Sequence, residues 1–112
     1  MELALSTMVQ GERTIVFVEG EVDVHTAATL RRHLDEAILQ GRDIVVDLAK
    51  VTFLDSTGLG VLVGRLKAVR AQGGTMRIVG ARERVLKVFV ITGLDRVFEM
   101  YPALDDLDSA AS

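Results

Sequence analysis

The segment Asp55-Ser56-Thr57-Gly58-Leu59-Gly60 gathers a carboxylate, two hydroxyls and two glycines in six positions. Before it stand Ile44-Val45-Val46-Asp47-Leu48 and the connecting Val51-Thr52-Phe53-Leu54. After it the apolar positions Leu59, Leu62, Leu66 and Val69 recur at three- and four-residue spacing. This pattern places the segment between a buried strand and the start of a helix. Backbone N–H groups are unpaired there and the helix dipole is positive, so the segment suits an anion such as a phosphate. The same residue types are also common helix caps. A nucleotide loop fits poorly: a P-loop ends in Gly-Lys-Ser/Thr, and no lysine follows these glycines until Lys67. The run Gly58, Gly60, Gly64 also departs from the dinucleotide spacing. Interior helical glycines cost up to about 1 kcal/mol each. Something therefore approaches this helix closely, either the sheet beneath it or a partner beside Ser56.

A second cluster is Gly20-Glu21-Val22-Asp23-Val24-His25-Thr26. If the strands before the two clusters are parallel, both turns share one edge, where open parallel sheets bind ligands or partners. The partner-contact residues expected on this rim are Asp23, His25, Thr26, Asp55, Ser56, Thr57, Gly58 and Leu59. Gly80 and Arg82 are expected at a third rim loop. Leu59 points either to a partner or into the core. His25 and His33 share no metal spacing, and no Gly-x-Ser-x-Gly elbow surrounds Ser56. No catalytic residue, metal site or cofactor is expected.

The elements that must position these clusters are legible from periodicity. Residues 2–9 alternate weakly, Gln10-Gly11-Glu12 reads as a hairpin turn, and Thr14–Val18 is a β-branched strand ending at Gly20. Thr26 is a candidate cap for a helix with Ala27, Leu30, Leu34 and Ile38 on one stripe, ended by Gly41. Ile44–Leu48 is a strand covered on both faces. The glycine helix follows to Gln72-Gly73-Gly74. Then come a strand at Met76–Val79, a helix from Arg82 to Ile91, an edge strand at Val97–Tyr101, and a brief acidic helix or tail after Pro102. Met8, Met76 and Met100 are expected to fill the core. The order β-β-α-β-α-β-α-β predicts an α/β fold with a mixed, mostly parallel sheet of about five strands and right-handed crossovers. A single domain is expected over 1–108, with a short flexible tail at 109–112.

Composition narrows the function. The 112 residues carry 13 basic and 16 acidic side chains, net −3, which gives no footprint for nucleic acid. There is no cysteine, so thiolate metal sites and Cys nucleophiles are excluded. Aromatic residues are only 4%, too few for a base-stacking platform. No apolar run is long enough to span a membrane, and residues 1–7 lack the pattern of a signal peptide. A cytoplasmic protein is expected.

Val45-Val46-Asp47-Leu48 followed by Asp55-Ser56-Thr57-Gly58-Leu59-Gly60 resembles the signature of bacterial anti-sigma factor antagonists, which are single STAS domains. Gly20-Glu21-Val22-Asp23-Val24 with Thr26-Ala27, Met76-Arg77-Ile78-Val79-Gly80, and Thr92-Gly93-Leu94-Asp95-Arg96-Val97-Phe98 resemble further segments of that family in the same order, over roughly residues 3–107. One departure is Ala28, where relatives often carry proline. The resemblance implies a non-enzymatic phosphorylation switch. Its phosphoacceptor is Ser56, its partner is an anti-sigma factor with serine kinase activity, and a serine phosphatase restores the active form. Other readings are a STAS scaffold within a sensory complex or a transporter, a small nucleotide-binding enzyme, and a receiver domain phosphorylated on Asp47 or Asp55.

Overall fold

The computed structural model describes residues 2–111. The chain runs β1 (Leu3–Gln10), β2 (Arg13–Val22), α1 (Ala27–Gln40), β3 (Asp43–Leu54), α2 (Ser56–Ala71), β4 (Thr75–Val79), α3 (Glu83–Thr92), a short 3-10 turn (Leu94–Arg96), β5 (Glu99–Tyr101) and α4 (Asp105–Ala111). All five strands lie in one sheet in chain order. β1 and β2 form an antiparallel hairpin closed by Gly11-Glu12, with Gly11 at φ +65°. A left-handed residue at that turn position is what a two-residue hairpin loop demands. The pairs β2–β3, β3–β4 and β4–β5 are parallel. The architecture is the expected mixed α/β sheet of five strands.

Each parallel strand is added on the same side of the previous one, so right-handed crossovers bring α1, α2 and α3 to one face. That face holds the main core. Val16, Val18 and Val22 of β2 and Ile44, Val46 and Leu48 of β3 meet Leu30, Leu34, Leu62, Leu66 and Phe89 from the helices. Phe89 meets Phe98 edge-on at 5.7 Å between ring centres. A smaller core on the other face joins Ile15, Val45 and Val79 to Leu107 of α4. Coverage on both faces explains why Ile44-Val45-Val46 is continuously apolar: all three are fully buried.

Several boundaries differ from the sequence reading. β2 continues past Gly20 to Val22, and β3 takes in Val51–Leu54, because two register shifts near Glu19 and Glu21 let the ladder go on. Such bulges add twist without ending the pairing. α2 begins at Ser56 instead of Leu59. β5 is confined to Glu99–Tyr101, since Leu94–Arg96 coil into the 3-10 turn. Met76 is buried and Met100 packs against the core, but Met8 on the outer strand is 43% exposed. Of the tail expected over 109–112, residues 109–111 continue the backbone of α4, and Ser112 lies outside the described residues.

One consequence of these lengths positions the site. β4 pairs with β3 only over Asp43–Asp47, whereas β2 stays paired with β3 to Leu54. The ends of β2 and β3 therefore project beyond β4 as a two-stranded arm, about 20 Å long at about 3.3 Å per residue.

Candidate functional site

At the tip of this arm the Asp55 N–H donates to the Val22 carbonyl at 3.1 Å, tying the start of α2 to the end of β2. Asp55 is the helix cap. Its backbone is extended, and its carboxylate accepts the Gly58 N–H at 3.0 Å. Ser56 and Thr57 are then the first two helical residues. Both are exposed, and among the described residues no side-chain hydrogen bond holds either hydroxyl. Gly58 is buried. A Cβ there would lie 2.5 Å from Val22 Cγ1 and 2.6 Å from Leu54 Cδ1, so glycine lets the first turn sit directly on the strand ends. Leu59 is 4% exposed and belongs to the core, so of its two expected directions the side chain takes the inward one.

Gly60 and Gly64 are the opposite case. A Cβ at either would meet nothing within 4 Å. With Thr57, Val61, Arg31 and Arg65 they line a shallow depression of about 250 Å³ between α1 and α2. The sheet therefore explains Gly58 but not Gly60 or Gly64.

The β2–α1 turn is adjacent, as the parallel topology required. Asp23 is 5% exposed, and its Oδ1 accepts the N–H groups of His25 at 2.8 Å and Thr26 at 3.1 Å. The Thr26 hydroxyl accepts the Asp23 N–H at 2.9 Å and donates to the Glu21 carbonyl at 2.8 Å, with Asp23 Oδ1 a more distant neighbour at 3.3 Å. Thr26 occupies the cap position of α1, but its side chain does not cap the helix. The Asp23 carbonyl takes the Ala27 N–H instead, at 2.9 Å. Asp23 and Thr26 are thus buried braces of the turn, and His25 and Val24 form its exposed surface. Burial raises the Asp23 carboxyl pKa. The hydrogen bonds from His25 and Thr26, with the nearby His25 charge, act the other way and hold it below the ordinary carboxylate value.

The third loop lies elsewhere. Gly80 has φ +74°, and a Cβ there would come within 3.0 Å of Ala49 Cβ. Arg82 donates from Nε to the Ala49 carbonyl at 2.6 Å. Gly80 therefore flanks the middle of β3 because β3 outruns β4, and Arg82 reaches from there to a depression it shares with Val51 and Thr52 on the arm. Exposed Val24 and Phe53 stand on the same arm, and the sequence reading did not single them out. Val24 carries a signal, an apolar residue between Asp23 and His25, whereas Phe53 carries none because Val51 and Leu54 beside it are also apolar. No group of three metal-ligating side chains occurs among the described residues, and no helix is long and apolar enough to cross a membrane.

A five-stranded mixed sheet with α1, α2 and α3 on one face, α4 on the other and an Asp-Ser-Thr-Gly helix start at the sheet end defines a STAS domain, and residues 4–107 match the STAS domain model. The chain is 41% identical over 92 residues to the anti-sigma-B factor antagonist of Bacillus subtilis, covering 81% of this chain and 84% of the relative. Its fold superposes on an anti-sigma factor antagonist from Mycobacterium paratuberculosis with a TM-score of 0.89 at 27% identity, over 97% and 93% of the two chains. It also superposes on the Bacillus cell fate determinant SpoIIAA in the phosphorylated form, with a TM-score of 0.72 at 25% identity, over 99% and 100% of the chains. The chain belongs to the STAS domain family of anti-sigma factor antagonists.

Proposed function

We propose that this chain is a phosphorylation-controlled antagonist of an anti-sigma factor. In the dephosphorylated form it binds an anti-sigma factor that carries serine kinase activity, and the sigma factor is freed. Phosphorylation of Ser56 switches the antagonist off, and a serine phosphatase restores it. The chain itself catalyses nothing.

The observation that carries this reading is the division of labour at the start of α2. Asp55 caps the helix and ties it to β2, so the exposed Ser56 hydroxyl is not needed for the fold. A phosphate on Ser56 adds about −1.5 to −2 charge at the positive end of a helix, where the fold tolerates it. A partner docked on a neutral hydroxyl does not tolerate it. Like-charge juxtaposition across an interface costs several kcal/mol, and every 1.4 kcal/mol is about tenfold in affinity. The docking surface consists of His25, the exposed edge of Asp55, Ser56 and Thr57, with Gly60 and Gly64 beside them. The existence of a phosphorylated form of the similar SpoIIAA supports a switch of this type.

The test is incubation of the purified chain with its cognate kinase and ATP, followed by peptide mapping. One phosphate on Ser56 is expected. Phosphate found chiefly on Thr57, or on Ser109, overturns the assignment.

A further inference from the structure

The two edges of the sheet are built differently. β5 is three residues long and is followed at once by Pro102, which cannot donate to a ladder. β1 is eight residues long, pairs only with β2, and has no charged residue, proline or glycine from Leu3 to Gln10. Proteins that keep such an edge unpaired usually guard it with charge, proline or a bulge. The β1–β2 register shows no bulge. Met8 and Val9, both large and apolar, are 43% and 63% exposed on this strand.

We propose that β1 is a homodimer edge: two copies of this chain pair their β1 strands antiparallel about a two-fold axis at Ser6, joining two five-stranded sheets into one. The commitment to a second copy comes from the strand's own pattern. A two-fold axis normal to the sheet keeps each residue on its face, so only partners whose numbers sum to an even value can meet. With the axis at Ser6, Leu3 meets the partner's Val9, Ala4 meets the partner's Met8, and Leu5 meets the partner's Thr7. Both exposed apolar residues gain apolar neighbours, Met8 facing the small Ala4 and Val9 facing Leu3, and no like charges oppose each other. Ala4 and Ser6 also line a cavity of about 350 Å³ with Phe17 and Ala49 on the sheet face away from α1, rimmed by Asp47 and by the Glu19–Lys50 ion pair. The partner's Met8, opposite Ala4, reaches its lip. α1 packs over β1 and β2, so each helix already occupies its own pair of strands and the joined sheet leaves room for both. This edge is separate from the Ser56 tip, and the proposal does not depend on the switch.

Sedimentation and light scattering of the full chain test it. A species of twice 12.2 kDa is expected to grow with concentration. The double variant Ala4→Lys, Met8→Lys sets like charges opposite each other twice and should weaken the dimer at least about tenfold. The double variant Ala4→Lys, Met8→Glu sets opposite charges there and should retain it. Both positions are exposed, so circular dichroism should show native folds. Should either variant misfold, amide exchange of the unmodified chain decides, with β1 amides slowing as concentration rises. A monomer up to millimolar concentration, β1 exchange indifferent to concentration, a dimer that survives the like-charge variant, or its loss in both folded variants overturns the proposal.

Discussion

The Asp55 carboxylate accepts the Gly58 N–H at 3.0 Å, and this one bond separates holding the helix from presenting the switch. Had Ser56 been the cap, any phosphate on it would have broken a structural contact. Because the aspartate one residue earlier does the capping, the serine is left at the first helical position with its hydroxyl in solvent.

The first prediction concerns Ser56 itself. Ser56→Ala should change stability by no more than about 0.5 kcal/mol, as surface substitutions do. It should bind the anti-sigma factor as the unmodified chain does and stay bound in the presence of ATP. Ser56→Asp should fold and bind at least about tenfold more weakly, a difference of about 1.4 kcal/mol. Calorimetric titration of both variants checks this, and equal affinities would show that charge at this position is irrelevant.

The second prediction tests the cap. Asp55→Ala removes the acceptor of the Gly58 N–H and should lower stability by about 1 kcal/mol, the usual loss at such positions. Asp55→Ser should recover most of it, since a hydroxyl also caps. Urea denaturation midpoints give the answer. An Asp55→Ala chain as stable as the parent would mean that the tie from the Asp55 N–H to Val22 suffices to hold the helix start.

Much of this arrangement was legible in the sequence, and the failures have physical causes. Ile44-Val45-Val46 announced a strand covered on both faces, and the alternation of strands and helices announced the parallel sheet. The neighbourhood of Asp23 and Ser56 followed from topology alone. What failed was length. Gly20 reads as a strand end, yet at φ +116° it sits between two register shifts and the ladder runs on to Val22. That extension is why Gly80 and Arg82 meet β3 at Ala49, before its end. The roles of Asp23 and Thr26 were also hidden, because a turn acid in solvent and one gripped by two N–H groups have the same sequence. Leu59 gave two directions at equal weight, and only packing distinguished them.

The third prediction separates the glycines of α2. Gly60→Ala and Gly64→Ala place a methyl in open space and should each stabilise the fold by about 0.5–1 kcal/mol through helix propensity and a less free unfolded chain. If the depression they line is partner surface, both should weaken anti-sigma factor binding while raising the melting temperature. Gly58→Ala should do the reverse to the fold. Its methyl meets Val22 and Leu54, and overpacking of that kind costs about 1–3 kcal/mol. Thermal melts paired with binding titrations distinguish the two classes. Unchanged binding in Gly60→Ala and Gly64→Ala would remove the depression from the docking surface.

The last prediction follows from the direction of the Asp23 pKa. Burial opposes the charge, but the His25 and Thr26 donors and the His25 charge favour it more, so the folded value lies below the ordinary 3.8. A group depressed in the folded state contributes stability that is fully present above its unfolded pKa and lost as pH falls through its folded pKa. The contribution is therefore constant from neutral pH down to about pH 5 and declines below pH 4. Asp23→Asn keeps an oxygen to accept the same two N–H groups but has no charge to titrate. The variant should be less stable than the parent at pH 7, and the gap should narrow as the solution is acidified toward pH 2. Denaturation midpoints measured across that range carry the test, with the parent curve falling more steeply than the variant's below pH 4. Parallel curves would mean that the Asp23 carboxyl titrates alike in the folded and unfolded chain, and that shape alone, without charge, holds the turn beside Ser56.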